Sequence, residues 1–138
     1  MLIIRPIRAS DYEALYSIAV ESGHGFTSLP VNEELLRSKI ARAEASFTKQ
    51  VDKPFDEGYL MVLEDTTTQE VVGTCGIEAA VGMVDAFYHY RLGTEVYHSQ
   101  QIAVRNEVET LTLCHDYTGA AEVCTLFLKS AYRKGNNG

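Results

Sequence analysis

The sequence has no tryptophan, only three prolines and only three cysteines, and its acidic residues outnumber its basic ones. The cysteines, Cys75, Cys114 and Cys124, are odd in number and widely spaced. No CxxC or Cys/His pair has the spacing of metal ligands, so we predict no metal site. We expect three reduced, buried thiols in a cytoplasmic protein.

Long apolar runs are missing as well. No stretch approaches the ~18 residues of a membrane span, and the N-terminal MLIIRP is unlike a signal peptide. The net charge of −7 argues against a general nucleic-acid binder, which would carry a basic face. The chain has 138 residues, 46% of them hydrophobic and 22% charged, which suits a single globular domain with a proper core. We therefore expect neither a membrane nor a nucleic acid among its partners.

The first part of the chain predicts a strand and a helix. Residues 2–7 are a short apolar strand, and Pro6 indicates an edge strand or a strand end. Ser10 and Glu13 form a capping-box pattern at the start of the helix, and Gly23 is its natural C-terminal stop.

A second helix follows the loop. Asn32 is a plausible N-cap, and the helical pattern continues to about Thr48. One face of this helix carries Leu36, Ile40, Ala43 and Phe47.

Apolar segments later in the chain predict strands. Residues 59–64 and 71–77 read as a hairpin, in which Gly73 and Gly76 allow a bulge or a close backbone approach. Residues 87–97 and 110–114 indicate an inserted hairpin or ribbon, which we expect to pack on the sheet or on a partner subunit. Residues 121–128 are the final strand. The order β-α-α-β-β-(β-β)-β predicts an α+β fold on a mostly antiparallel sheet flanked by helices.

The final strand runs into a basic, glycine-containing segment, which is the strongest functional signal. A strand followed by such a loop and a helix presents backbone N–H groups to a phosphate. The loop consists of Arg133, Lys134, Gly135, Asn136, Asn137 and Gly138. Because the chain stops there, we expect it to be a piece of a larger protein, cut inside its own anion-binding loop.

Long ordered motifs relate the chain to a known family. They include GFTSLP, VLED, VVGTCGIEAAVG, FYHYRLGT, TLTLCHDYTG, CTLFL and YRKGNNG. With these motifs the chain resembles the arginine N-succinyltransferase family, and more broadly the N-terminal half of a GNAT-like acyl-CoA N-acyltransferase fold. The resemblance implies one partial GNAT-like domain over residues 1–138, truncated in the acyl-CoA pyrophosphate loop. It also implies transfer of succinyl from succinyl-CoA to the α-amino group of arginine.

The resemblance assigns roles to the end of the chain. Arg133 matches the basic position of the pyrophosphate loop and Gly138 its last small position. Leu126, Phe127 and Leu128 lie on the strand whose backbone would pair with the pantetheine of the acyl-CoA, with the contact mapping to Leu126. Succinyl-CoA would be a co-substrate, with no tightly bound cofactor, and the family's main catalytic residue is expected beyond residue 138.

Other site residues are less specific. Glu122, at the start of the final strand, is a candidate general base, and its alternative role is a solvated strand-end carboxylate. In the loop from residue 23 to 30, which would border the acceptor side, Thr27 and Ser28 are candidate substrate contacts. A guanidinium substrate needs a carboxylate partner. The candidates by residue type alone are Glu64, Glu78, Asp85 and Asp116.

Two other functions stay open. The chain could be a non-catalytic assembly subunit of a succinyltransferase, or a GNAT-type N-acyltransferase with another amine acceptor. For the enzyme itself we expect arginine or ornithine as acceptor, and a homo- or hetero-oligomer with a related subunit.

Overall fold

The computed structural model describes residues 1–133, which form a four-stranded sheet, a separate two-stranded ribbon and two α-helices. The elements are β1 (Leu2–Pro6), α1 (Tyr12–Ser22), α2 (Glu33–Thr48), β2 (Gly58–Asp65), β3 (Glu70–Glu78), β4 (His89–Ser99), β5 (Val104–Cys114) and β6 (Glu122–Leu128). The sheet has the order β1-β2-β3-β6, and every pairing is antiparallel. The predicted α+β fold and its element order are confirmed. β1 is an edge strand, as Pro6 indicated.

Both helices pack on one face of the four-stranded sheet. Their apolar side chains meet those of β2 and β3 in a single core, and burial of these side chains is the main stabilising term for a domain of this size. The fully buried large side chains are Ile7, Leu15, Ile18, Leu29, Leu36, Val62 and Val72. The opposite face of the sheet is left apolar and largely open.

The helix ends follow local chemistry. α1 ends at Gly23, whose φ of 75° suits a residue without a side chain. At the start of α2, the Asn32 side chain accepts a hydrogen bond from Leu35 N at 3.0 Å, so the predicted N-cap is confirmed.

The predicted start of α1 at Ser10 was wrong. A 3₁₀ turn, Ala9–Asp11, precedes the helix, which begins at Tyr12. The Asp11 carboxylate accepts bonds from Arg8 N at 2.8 Å and from both terminal guanidinium nitrogens of Arg5, at 2.7 and 2.9 Å. A charged carboxylate is the stronger acceptor, so Asp11 organises this corner in place of the Ser10 hydroxyl.

One residue of the predicted α2 face lies outside the core. Phe47 is 39% exposed and packs edge-on against Tyr59, with ring centroids 5.2 Å apart. Ser46 takes the buried position instead. Its hydroxyl donates to Arg42 O at 2.8 Å and accepts from Gly58 N at 3.1 Å, which joins α2 to the start of β2.

The glycines of β3 sit where β3 and β6 come close together. A Cβ on Gly73 would lie 2.7 Å from the carbonyl oxygen of Phe127, closer than real Cβ contacts allow. The β3–β6 register shifts between Thr74 and Gly76. The close approach predicted at these glycines is therefore confirmed, and the bulge beside them lies in β6, opposite Cys75.

The ribbon is longer than predicted. Its register runs from His89 paired with Cys114 to Ser99 paired with Val104, so β5 begins six residues before the predicted start at Thr110. The added segment, VRNEVE, is largely polar and gave no apolar face to recognise. Both faces of the ribbon are largely exposed, so the alternative that it packs on the four-stranded sheet was wrong.

Candidate functional site

β6 is the second edge strand of the sheet, and a bulge interrupts its pairing with β3. Thr74 pairs with Phe127 and Gly76 with Cys124, so two residues of β6 stand opposite Cys75 alone. These two residues are Thr125 and Leu126. A bulge bends a strand and re-aims its backbone groups, and bulges are frequent beside functional sites.

Thr125 is the distorted residue of this bulge. Its φ is 54°, in the left-handed region that a β-branched residue rarely adopts. The Thr74 hydroxyl donates to its carbonyl oxygen at 2.9 Å, in a buried position. The surrounding structure therefore holds an unfavourable backbone conformation in place, which is a common property of functional sites.

The three β6 residues predicted to contact the acyl carrier have different environments. Leu126 is 71% exposed at the bulge, and it lies with Leu128 along an apolar groove on the sheet face away from the helices. Phe127 turns to the helix side and packs on Phe26, with ring centroids 5.7 Å apart. β6 therefore combines a packed side chain, Phe127, with an exposed one, Leu126, and a half-buried one, Leu128.

The segment after β6 is tied back to the domain. Lys129 N donates to Val72 O at 2.8 Å, and Ser130 N donates to the Glu21 carboxylate at 2.7 Å. Hydrogen bonding from the backbone and the side chain of Ser130 holds the pKa of Glu21 below its usual value. A 3₁₀ turn, Ser130–Tyr132, follows and delivers the chain to Arg133.

Arg133 is positioned over β6. Its Nε donates to Leu128 O at 2.6 Å, and its guanidinium lies 4.8 Å from the centroid of the Phe127 ring. Within residues 1–133, no carboxylate pairs with it, so the end of the guanidinium is available to an anion. The other predicted loop residues, Lys134, Gly135, Asn136, Asn137 and Gly138, lie outside the described residues.

The loop between α1 and α2 reaches β6 through Phe26. Thr27 lines a hollow beside this loop together with His24 and Val20, whereas Ser28 does not line it. The structure thus places the predicted acceptor-side loop against the C-terminal half of β6.

Glu122 begins β6 directly opposite Glu78 of β3. Glu122 is half-buried, and its side chain makes no hydrogen bond or ion pair to residues 1–133. Glu78, in contrast, is engaged by Arg42, with bonds of 2.6 and 3.2 Å. Of the two facing carboxylates, Glu122 is the one with unused acceptor capacity.

Most of the carboxylates considered for a guanidinium substrate already bind an arginine of the chain. Glu64 accepts from Arg5, and Asp116 accepts from Arg91, which holds the pKa of Asp116 below its usual value. With Glu78 bound to Arg42, the candidate left without such a partner in residues 1–133 is Asp85, which is exposed.

The pairing of β4 with β5 brings together three potential metal-ligating side chains from different parts of the sequence. Ligand atoms of His89, Cys114 and Asp116 lie within 4.8 Å of one another at the base of the ribbon. Cys114 and His89 are cross-strand partners, a proximity that linear spacing cannot reveal. The Asp116 carboxylate is already bound by the Arg91 guanidinium, whose charge opposes a cation at this point.

The cysteines are free thiols, but the prediction that they are buried was wrong. All three are half-buried, because the strands that carry them lie at open surfaces of the sheet and the ribbon. Burial and the neighbouring Cys124 raise the pKa of Cys75, so its thiol is a poor nucleophile at neutral pH.

A cleft between α2 and the sheet was missed by the sequence analysis. It is lined by Lys39 and Arg42 from α2 and, on the sheet side, by Gly58, Gly76 and Thr125. Arg42 donates to Asp56 O as well as to Glu78, and its guanidinium lies flat over Gly58. The available signal was the i, i+3 spacing of Lys39 and Arg42, which places two cations on one side of the helix.

No helix in the described part of the chain is long and apolar enough to cross a membrane.

The described residues thus define an α+β protein whose sheet ends in an open, bulged edge strand with a basic residue beyond it. The chain belongs to the arginine N-succinyltransferase beta subunit family, whose model matches residues 2–138. The resemblance that the sequence motifs indicated is confirmed.

Curated relatives are named arginine N-succinyltransferase. The chain is 46% identical over 138 residues to an arginine N-succinyltransferase of Escherichia coli O17:K52:H18 and to that of E. coli strain K12. Each alignment covers 100% of this chain and 40% of the relative. A solved structure, arginine/ornithine succinyltransferase subunit AI from Pseudomonas aeruginosa, is similar with a TM-score of 0.86 and 37% identity. That likeness covers 95% of this chain and 40% of the other, so this chain spans two fifths of the length of the relatives it matches.

Proposed function

We propose that this chain is part of a cytoplasmic acyltransferase that moves succinyl from succinyl-CoA to the α-amino group of arginine. Its family membership supports this function, and one structural observation carries it: within residues 1–133, β6 is a bulged edge strand that pairs with β3 on one side, and its end leads to Arg133. Such an edge presents unpaired backbone N–H and C=O groups to a ligand that can pair like a strand. The pantetheine arm of an acyl-CoA contains amides of this kind.

The acyl-CoA would lie along β6, in the manner of GNAT-like enzymes. Its phosphates would meet the guanidinium of Arg133 and the segment that follows, since Arg binds phosphate through several N–H groups at once. Its pantetheine would run beside residues 126–128, and the thioester would then reach the bulge at Thr125.

The chemistry needs no covalent enzyme intermediate. The neutral α-amine attacks the thioester carbon, and a carbon–nitrogen bond forms as the carbonyl electron pair moves to oxygen. The carbon–sulfur bond then breaks and coenzyme A leaves as the thiolate. The proton that the amine loses is passed on to this thiolate, which gives coenzyme A thiol. A backbone N–H at the bulge would stabilise the tetrahedral oxyanion, and Glu122 would accept the proton through water.

The ribbon supports the expectation of an oligomer. One face of its base carries Tyr90, Leu92, Leu111 and Leu113, paired across the strands and each about half to two-thirds exposed. An apolar patch of this kind on a soluble protein marks an interaction surface. We propose that it contacts a second copy or a related subunit.

The test uses the protein expressed from its complete open reading frame, incubated with succinyl-CoA and arginine. Mass spectrometry should detect succinylarginine, and a thiol reagent should detect equimolar coenzyme A. Ornithine and unrelated amines in place of arginine define the acceptor. Absence of turnover with every acceptor, combined with absence of a thermal shift by succinyl-CoA, would favour the assembly subunit and end the proposal.

Variants of β6 locate the site. Leu126→Glu places a charge at the bulge and should raise KM for succinyl-CoA at least tenfold, because the charge opposes the anionic co-substrate and the apolar arm beside it. Val123→Glu is the matched control, since Val123 is 73% exposed on the same strand but lies before the bulge. Equal effects of the two variants would contradict the placement of the acyl-CoA along residues 126–128.

A further inference from the structure

The cleft between α2 and the sheet contains a lysine without a carboxylate partner in residues 1–133. Lys39 is half-buried, and in residues 1–133 it makes no hydrogen bond or ion pair to a carboxylate. The other lysines and arginines without a carboxylate partner in that part of the chain are exposed: Arg8, Lys53 and Arg133. In a chain with 19 acidic and 12 basic residues, a partly desolvated cation without a carboxylate partner in residues 1–133 is a candidate contact for an anion from outside these residues.

The remaining charges of the cleft cancel each other. Glu78 is the carboxylate that lines it, and both of its oxygens accept from the Arg42 guanidinium. Because this pair is bidentate, it adds little net charge, and Lys39 is the cation of the cleft lining that no carboxylate of residues 1–133 neutralises.

The sheet side of the cleft is closely packed around Gly76. A Cβ on Gly76 would lie 3.1 Å from Cys124 Sγ and 3.3 Å from Thr125 Oγ1, so any side chain at this position would crowd the floor of the cleft. The Thr125 hydroxyl at this floor donates to Cys124 Sγ at 3.4 Å, and rotation of the hydroxyl would let it donate to an anion instead.

The position along β6 identifies the anion. The proposed phosphate contact, Arg133, lies beyond the C-terminal end of β6, whereas the cleft lies beside the bulge, nearer the start of the strand. At ~3.3 Å per residue, the span from Thr125 to Leu128 is about 10 Å. An acyl-CoA lying along this strand with its phosphates near Arg133 therefore brings its acyl end, and not its nucleotide, to the cleft.

We propose that this cleft binds the terminal carboxylate of a dicarboxylic acyl group, with Lys39 as the cation that selects succinyl over uncharged acyl chains. The inference rests on the proposed acyl transfer and adds a specificity-determining residue to it. Lys39 would donate to the carboxylate from α2, and Thr125 would donate from the bulge. An uncharged acyl group of the same length would leave Lys39 half-buried without a partner, which is how a site rejects it.

The experiment compares kcat/KM for succinyl-CoA and butyryl-CoA, which have the same carbon number and differ in the carboxylate. It uses the protein expressed from its complete open reading frame. Lys39→Met should lower kcat/KM for succinyl-CoA roughly 10- to 100-fold, the range for a hydrogen bond to a charged group, and leave that for butyryl-CoA nearly unchanged. Lys39→Arg keeps the charge and should retain most of the preference. Lys53→Met, which removes an exposed lysine, is the control for net charge.

The outcomes separate this inference from the function on which it rests. If no acyl-CoA supports transfer, the proposed function fails. If the wild type transfers succinyl but Lys39→Met lowers both substrates equally, the carboxylate subsite is wrong and the function stands. If Lys39→Met weakens inhibition by free coenzyme A to the same degree, the lysine contacts a phosphate and the inference is overturned. A melting curve for each variant shows that the protein compared is folded.

Discussion

The carboxylate of Glu21, at the end of α1, accepts a hydrogen bond of 2.7 Å from the backbone N–H of Ser130, 109 residues later in the chain. This bond joins the first helix to the segment that leaves β6 for Arg133. It anchors the start of the proposed phosphate-binding segment to the helix side of the domain.

Removing this anchor should weaken acyl-CoA binding without unfolding the protein. We expect Glu21→Ala to raise KM for succinyl-CoA several-fold with little change in kcat, because the segment before Arg133 loses a fixed position. Glu21→Gln keeps an acceptor oxygen and should recover part of the affinity. Glu13→Ala is the control, because Glu13 lies on the same helix and its side chain accepts no hydrogen bond from residues 1–133. This variant should match the wild type. An increase in KM as large as that of Glu21→Ala would contradict the interpretation.

The close approach of β3 and β6 at Gly73 predicts that a larger residue at this position destabilises the protein. Gly73→Ala should destabilise the protein by about 1–3 kcal/mol, the usual cost of overpacking, since the new Cβ would collide with the Phe127 carbonyl. The measurement is the urea midpoint. Gly25→Ala is the control, because its Cβ would meet nothing within 4 Å and its φ is not in the left-handed region. Equal midpoints for the two variants would argue against the observed strand spacing.

The corner between β1 and α1 should be sensitive to acid. Burial alone would raise the pKa of Asp11, but hydrogen bonds from the Arg5 guanidinium and Arg8 N–H, together with their charges, lower it overall. A depressed carboxyl pKa contributes stability above the unfolded value of about 3.9, and this contribution is lost as pH falls through the folded value.

The matching variant is Asp11→Asn, which breaks a largely buried ion pair and should cost about 3 kcal/mol at pH 7. The difference in the free energy of unfolding between variant and wild type should shrink below about pH 4. It should vanish once Asp11 is protonated in both the folded and the unfolded state. Urea titrations at several pH values measure it, with the exposed Asp52→Asn as control. A difference that stays constant down to pH 2 would show that the charge of Asp11 is not the cause.

The apolar face of the ribbon predicts the effect of added charge on assembly. Leu92→Glu combined with Leu111→Glu should reduce the oligomer measured by light scattering to a smaller species, since the two residues are cross-strand partners on the exposed face. Val108→Glu, on the opposite face of the ribbon, should leave assembly intact. An unchanged mass for the double variant would exclude this face as the contact.

Much of the fold could be predicted because its signals are local. The cap at Asn32, the stop at Gly23 and the glycines of β3 each act through neighbouring backbone, and all three were recognised. The misjudged start of α1 at Ser10 has a different cause. It depends on Arg5, which reaches Asp11 only after β1 and the first turn are in place.

The features of the candidate site also fall into two groups, those recognisable in the sequence and those that only the tertiary structure shows. The basic end of β6 at Arg133 and the family motifs are contiguous in the sequence, so they were recognisable there. Three other features were not recognisable, since each depends on groups from distant elements: the lack of a carboxylate partner for Lys39 in residues 1–133, the bulge at Thr125 and the bond from Ser130 to Glu21.

The order of residues by itself determined the α+β class, the order of the elements and the family, because hydrophobic period, capping and turn residues act over a few positions. Only the tertiary structure decided which charges are neutralised and which remain available. Whether Glu78, Asp116 or Lys39 has a partner depends on side chains from other elements, and the potential at a site is the sum over all of them.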